Sequence, residues 1–104
     1  MTERFIYNFA PGPRPGLATD PDAWTAEDEA VASDHMAYLE AAAADGTVLL
    51  AGRSPDGIGP AIVILQAVDE QAARRFMEND PFVSSELFGA SLHPFRIALG
   101  DVRG

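Results

Sequence analysis

The chain has 104 residues, a length typical of one small domain and too short for a substrate domain beside a cofactor domain. Hydrophobic residues make up 47% and charged residues 22%, the composition of a folded globular protein. There are 16 acidic and seven basic residues, all seven arginine, and the net charge of -9 argues against nucleic acid and anionic membranes as partners.

Neither a metal centre nor export is expected from the sequence. With no cysteine and two histidines, the chain has no disulfide framework and few metal ligands. The opening residues, MTERFIYNF, lack the basic start and apolar run of a signal peptide, and no stretch is long enough to span a membrane. We therefore expect a single cytoplasmic domain over residues 1–104, without metal or organic cofactor.

The first predicted element is a strand. Residues 4–9 alternate, with Phe5, Tyr7 and Phe9 on one face, a pattern typical of strands rich in aromatic residues. Residues 10–22 contain four prolines and two glycines, which argues against regular structure and predicts a long surface loop. Such a loop is either a lid over a binding site or a passive connection.

A helix is predicted to begin after Thr25, because Thr25 and Asp28 have the spacing of a capping box. Gly46 favours the left-handed conformation that ends helices, so the helix should run to about Asp45. The inner side of this helix repeats every three or four residues and comprises Val31, His35, Tyr38, Leu39 and Ala42. His35 is therefore expected to point inward, toward the sheet.

Two strands are predicted to follow as a hairpin. Residues 47–52 are apolar, residues 54–57 read Ser-Pro-Asp-Gly, a strong turn sequence, and residues 61–68 are almost continuously apolar. An all-apolar strand is typically covered on both faces, whereas the two helices of one chain cover only one face. We therefore expect a homodimer in which the sheets of two copies stack against each other.

The second helix is predicted to start after Asp69. Its inner side comprises Ala72, Ala73, Phe76 and Met77. Pro81 should end the helix, because proline disfavours helical geometry in the residue before it. Asp80 follows Phe76 by four residues, so its carboxylate is expected to point inward where the helix stops.

The last strand is predicted at residues 90–99, after a short segment at 82–88 with some helical character. The side chains on one side of this strand are Phe95, Ile97 and Leu99. Pro94 lies within the run, which predicts an edge strand or a bulge.

The predicted order β-α-β-β-α-β is that of a ferredoxin-like α+β fold with a four-stranded antiparallel sheet. Both helices cover the same face of such a sheet, so His35 and Asp80 should meet although they are far apart in the sequence. A carboxylate holds an imidazole in one tautomer, and such a pair can remove a proton and return it. The alternative is structural: a buried histidine with a satisfied hydrogen bond, beside an aspartate that caps the turn before Pro81.

Several features in this order and spacing carry a family resemblance: His35, Tyr38 and Leu39 in the first helix, the Gly46 stop, Leu50, Ala51 and Gly52 at a strand end, and Asp80-Pro81-Phe82-Val83 after the second helix. Over nearly its whole length the chain resembles the YCII-related (YciI-like) family of small bacterial proteins. The resemblance implies a dimeric α+β barrel of ferredoxin-like protomers with an active site at His35 and Asp80. This family includes a dehydrochlorinase-type enzyme that acts on a chlorinated hydroxyquinol, although compact members have a shorter connection than residues 10–22.

Other polar residues are candidates for substrate contact. Arg14 on the long loop and Arg53 at a strand end could face a bound anion, or both could be solvated surface charges. Tyr38 could line the pocket or pack in the core, and Ser84 could donate a hydrogen bond near the site. For His93 we expect a structural role or contact with the partner subunit.

Three functions remain open at this point. The first is a small-molecule enzyme that catalyses elimination or isomerisation of a small cyclic metabolite, with His35 as general acid or base and Asp80 orienting it. The second is a non-catalytic dimeric module that binds a ligand or another protein, in which the pair pins the helices to the sheet. The third, a cofactor-independent monooxygenase, rests on analogy with other dimeric barrels.

Overall fold

The computed structural model describes residues 1–14 and 16–100. Its elements are β1 (Glu3–Pro11), α1 (Ala26–Ala44), β2 (Val48–Arg53), β3 (Ala61–Ala67), α2 (Glu70–Asn79), α3 (Pro81–Ser84) and β4 (Phe88–Pro94), with a 3-10 helix at Pro21–Ala23. The four strands form one antiparallel sheet in the order β2-β3-β1-β4. This is the ferredoxin-like α+β arrangement expected from the sequence.

Local signals account for both ends of α1. Thr25 accepts a hydrogen bond from the backbone N–H of Asp28, and the Asp28 carboxylate accepts one from the backbone N–H of Thr25, which completes the predicted capping box. The helix stops where Gly46 takes a φ of 90°, a left-handed conformation that glycine adopts without a steric penalty. Between these ends, His35 and Leu39 lie on the buried side.

The core lies between the helices and one face of the sheet. Its buried members are Phe5, Tyr7, Leu39, Ala42, Val48, Val63, Leu65, Ala73 and Met77. The cluster contains Leu39 and Ala42 of the predicted inner side of α1 and Ala73 and Met77 of that of α2, and Tyr38 and Phe76 pack against it. Val31 and Ala72 are half-buried and lie outside the cluster. In the central strands the buried core positions alternate along the chain, so that β1 and β3 present one face to the helices.

The predicted bounds of the last strand are wrong. The strand covers 88–94 instead of 90–99, and Pro94 is its last residue. Proline is tolerated there because β4 is an edge strand, in which the nitrogen of Pro94 does not face β1. The core-facing side chains are Phe88, Ala90 and Leu92, whereas Phe95, Ile97 and Leu99 lie beyond the end of the strand. The edge position of β4 is confirmed.

Residues 10–14 and 16–22 contain more regular structure than the proline content of this part of the chain predicts. Ala10 and Pro11 belong to β1, where they pair with β4, and the segment ends in the 3-10 helix. Leu17 is buried, and its carbonyl oxygen accepts a hydrogen bond from the indole N–H of Trp24 at 2.7 Å. The connection is therefore packed onto the protein through these two residues.

Leu65 tests the location of this core. Leu65→Ala is expected to lower the free energy of unfolding by about 2–5 kcal/mol, because a side chain with 0% exposure is cut back to leave a cavity. Leu99→Ala is the control, since Leu99 is 93% exposed, and its effect should stay within about 0.5 kcal/mol. Urea unfolding followed by circular dichroism measures both values, and equal effects for the two variants would contradict this description of the core.

Candidate functional site

The two residues singled out by the sequence meet. The Nδ1 atom of His35 lies 2.6 Å from the Oδ1 atom of Asp80. The Asp80 side chain has 0% exposure and His35 is 8% exposed, so the contact is sheltered from water. A charge-assisted hydrogen bond of this length is among the stronger ones found in proteins.

Local backbone geometry places the Asp80 carboxylate. Asp80 ends α2, where its backbone N–H donates to the carbonyl of Met77, and it also precedes α3, which starts with Pro81. Its Oδ1 atom accepts a hydrogen bond from the backbone N–H of Phe82 at 3.0 Å. The expected turn cap is therefore present together with the contact to His35, so the structural and functional interpretations of Asp80 are not mutually exclusive.

A third donor reaches the same carboxylate from the sheet. The hydroxyl of Tyr7 in β1 donates to the Oδ2 atom of Asp80 at 2.8 Å. Burial, followed by the nearby negative charge of Asp80, raises the pKa of the Tyr7 phenol well above its usual range. Three donors from β1, α1 and the start of α3 thus offset the cost of burying the carboxylate.

Aromatic rings enclose the imidazole. Phe82 stacks on it with ring centroids 3.9 Å apart and an interplanar angle of 18°, and Phe9 meets it edge-on at 5.6 Å. Residues 1–14 and 16–100 supply no hydrogen-bond partner for Nε2, and every fully buried side-chain nitrogen or oxygen of these residues has one. Nε2 is therefore not fully buried.

Tyr38 lies near the pair but directs its hydroxyl elsewhere. The hydroxyl donates to the carbonyl oxygen of Phe76 at 2.7 Å, and the two rings pack at 4.8 Å. Burial and the negative charge of Asp80 raise the pKa of Tyr38 to about 12. These contacts agree with the packing alternative for Tyr38, and its contact with a substrate stays a prediction.

Arg14 forms a close ion pair instead of standing free. Its guanidinium lies 2.6 Å from the Oδ2 atom of Asp28. A cavity of about 360 Å³ opens beside this pair and is lined by Pro13, Arg14, Asp28, Ser85, Glu86 and Leu87. Asp28 precedes His35 by seven residues, two turns of helix or roughly 10 Å along the axis.

The remaining candidates lie at the surface. Arg53 is exposed at the end of β2. Ser84 is exposed, and its backbone N–H donates to the Asp80 carbonyl at 2.8 Å, whereas no contact between its hydroxyl and the carboxylate is present. His93 is exposed on β4 opposite Ile6. The structure does not bring these three residues into the contacts of the His35–Asp80 pair.

Sequence reasoning missed the roles of Tyr7 and Phe82. The alternation of residues 4–9 places Tyr7 only on one face of the first strand. A hydroxyl on a buried face needs a hydrogen-bond partner, and this requirement was the available signal. Phe82 follows Asp80 by two residues, so α3 carries both the backbone donor to the carboxylate and the ring that covers the imidazole. No sequence periodicity indicates a contact of that kind.

No group of three or more potential metal ligands occurs among the residues that the structure describes.

With this geometry established, comparison with known proteins adds the family. The profile of the YCII-related domain matches residues 16–92 of the chain. The chain belongs to the YCII-related family. The matched region contains His35 and Asp80, and it ends within β4. No curated protein matches the chain in the corresponding search.

In the described part of the chain, no helix has the length and apolar character needed to cross a bilayer. The cytoplasmic location expected from the sequence stays a prediction.

Acid should weaken the fold through Asp28. The ion pair with Arg14, followed by the hydrogen bond from the Thr25 backbone, lowers the pKa of the Asp28 carboxyl. Its ionised form therefore stabilises the folded state above the unfolded pKa of about 4, and this stabilisation is lost as the pH falls through the lower folded value. The wild type should exceed Asp28→Asn in unfolding free energy near neutral pH, and the difference should shrink in acid.

Urea unfolding of both proteins between neutral and strongly acidic pH measures this difference. Glu70→Gln is the control, because Glu70 and Arg74 form an exposed pair 3.5 Å apart, whose removal should change stability little. A stability difference for Asp28→Asn that stays constant down to strongly acidic pH would contradict the prediction.

Proposed function

We propose that this protein is a small-molecule enzyme that moves a proton through His35, with Asp80 orienting the imidazole. The reaction class is elimination or isomerisation of a small cyclic metabolite. In both, His35 takes a proton from a carbon atom; in elimination a group on the neighbouring carbon then departs with its bonding electrons, and in isomerisation the proton is returned at another position. The site uses protein groups only, and His35 is the one residue assigned direct contact with the reacting atoms.

The observation that carries this proposal is the unequal environment of the two imidazole nitrogens. Nδ1 contacts the buried carboxylate at 2.6 Å, whereas Nε2 has no hydrogen-bond partner among the described residues and is not fully buried. An ionised carboxylate only accepts hydrogen bonds, so the contact requires the hydrogen on Nδ1. In the neutral ring Nε2 then holds a lone pair, which makes it the general base, and in the protonated ring it is the general acid.

The apolar surroundings support the same assignment. The Phe82 and Phe9 rings exclude water from much of the imidazole, and electrostatic interactions are stronger in such an environment than in bulk water. When Nε2 takes a proton from a substrate, the resulting imidazolium lies directly against the Asp80 carboxylate. The charge that develops during proton removal is thus stabilised by a group already in place.

The second candidate is a non-catalytic binding module. It is favoured by the hydrogen bond from the Phe82 backbone N–H to Asp80, which caps the start of α3. Asp80 joins β1, α1 and α3 by hydrogen bonds, so the pair would have a structural use even without turnover. If this function is correct, His35→Ala lowers the melting temperature, because the contact between His35 and Asp80 is lost. The rate measured with any substrate stays unchanged, because His35 then has no catalytic role.

A substrate panel separates these functions. Halogenated cyclic compounds report elimination through halide release, and cyclic ketones report proton removal through exchange with deuterated solvent, followed by NMR. His35→Ala should lower the rate of an active substrate by about 100- to 10,000-fold, the usual contribution of a positioned general acid or base. Asp80→Asn should also lower it, because an amide does not stabilise the imidazolium.

Met36→Ala is the matched control, since it cuts back the neighbouring side chain on α1, which is 54% exposed. Its rate should equal that of the wild type. A substrate that is turned over equally by wild type and folded His35→Ala would overturn the assignment of His35.

We further propose that the protein is a homodimer in which two sheets stack through the faces opposite the helices. Strand pairing places Ile64 beside Ile6 and Leu50 on that face. Leu50 is 45% exposed in the single chain. Small domains bury a limited fraction of their surface, and a second copy would cover this apolar strip.

Leu50→Glu tests the stacked dimer. Because Leu50 is already half exposed, the substitution should leave the fold intact, but it would place a charge inside the stacked interface, so the dimer should dissociate. Ile58→Glu is the control, since Ile58 is 82% exposed in the hairpin turn. Analytical ultracentrifugation measures both, and a monomeric wild type or a dimeric Leu50→Glu protein would overturn this arrangement.

A further inference from the structure

Tyr7 has a buried, ionisable hydroxyl that the proposed proton transfer does not use directly. The residue has 0% exposure in the middle of β1. Its neighbours on the same face of the strand, Phe5 and Phe9, are phenylalanines, so packing on this face does not in itself require a hydroxyl. A buried hydroxyl is costly unless it is hydrogen-bonded, and here its partner is the Asp80 carboxylate.

The three donors on Asp80 are distributed unequally between its two oxygens. His35 and the Phe82 backbone both contact Oδ1, whereas Tyr7 is the donor to Oδ2. Among the residues described, no other donor reaches Oδ2. The Tyr7 contact therefore restrains rotation of the carboxylate plane, and that rotation determines whether the lone pairs of Oδ1 point at Nδ1 of His35.

The state of the phenol suits a permanent donor. Burial and the adjacent carboxylate both oppose its ionisation, so Tyr7 keeps its proton at any pH at which the protein works. A proton-shuttling tyrosine would need the opposite environment. Tyr7 is thus suited to holding Asp80 in place and unsuited to exchanging protons with a substrate.

We propose that Tyr7 is a positioning residue, whose hydroxyl fixes the Asp80 carboxylate and thereby keeps neutral His35 in the single tautomer with hydrogen on Nδ1 and the lone pair on Nε2. This inference rests on the proposed function, because Nε2 can act as the base only while the hydrogen stays on Nδ1. The expected consequence of losing the hydroxyl is a mixture of the two tautomers, since the carboxylate then turns and no longer aims at Nδ1.

The tautomer is measured directly by nitrogen NMR of the imidazole, with the pH raised until the two ring-nitrogen shifts no longer change, so that the neutral ring is observed. A His93→Gln background leaves His35 as the single histidine. With Tyr7 present, the two ring nitrogens should give the widely separated shifts of one tautomer. In Tyr7→Phe, which conserves the ring, the two shifts should move toward each other as the tautomers mix.

Tyr38→Phe is the matched control, because its hydroxyl donates to the Phe76 carbonyl and not to Asp80. This variant should retain the separated shifts, and amide spectra of both variants establish that they are folded. Unchanged nitrogen shifts in Tyr7→Phe would overturn the role of Tyr7, as would an equal change in Tyr38→Phe.

The same spectra separate this inference from the proposed function. If His35 carries its hydrogen on Nε2 while Tyr7 is present, the proposed base is wrong, and the role of Tyr7 fails with it. The other outcome is that the hydrogen is on Nδ1, that Asp80→Asn mixes the tautomers and that Tyr7→Phe does not. The orientation of His35 by Asp80 is then supported, and only the role of Tyr7 is refuted.

Discussion

The structure depends on one fully buried carboxylate. Transferring a charged group out of water costs several kcal/mol even after relaxation of the surroundings, so Asp80 is stable in its position only with donors around it. Those donors come from β1, α1 and the start of α3. Because each belongs to a different element, the hydrogen bonds that satisfy the charge also restrain these elements relative to one another, and the same contact holds the fold and orients His35.

The aromatic residues complement this polar centre. Phe82 covers one face of the imidazole and Phe9 meets its edge, while the edge carrying Nδ1 faces the carboxylate. Phe82 also contacts Trp24, which is hydrogen-bonded to the carbonyl of Leu17 in the long connection. Trp24 therefore links Leu17 of that connection to Phe82 at the site. Its arginine, Arg14, is paired with the carboxylate that caps α1, so both the helix start and the loop converge on one edge of the cavity.

Much of the site followed from patterns that act over a few residues. The capping box at Thr25, the glycine stop after α1 and the proline stop after α2 all depend on local backbone sterics and hydrogen bonds, so they were predictable. Helical periodicity then placed His35 and Asp80 on inward faces, and the α+β order brought them together. The bounds of the last strand were predicted poorly, because they depend on pairing with β1, which lies far away in the sequence.

The sequence by itself determined the order of the elements, the ends of the helices and the inward direction of His35 and Asp80, because each of these follows from residues close together in the chain. Only the tertiary structure decided that the Tyr7 hydroxyl meets the second oxygen of Asp80, that Arg14 is engaged by Asp28, and that the Tyr38 hydroxyl turns to a backbone carbonyl. Tyr7 and Asp80 are separated by 73 positions. Contacts over such separations depend on how strands and helices pack in three dimensions. The residues next to Tyr7 or Asp80 in the sequence therefore do not indicate which distant residue each of them contacts.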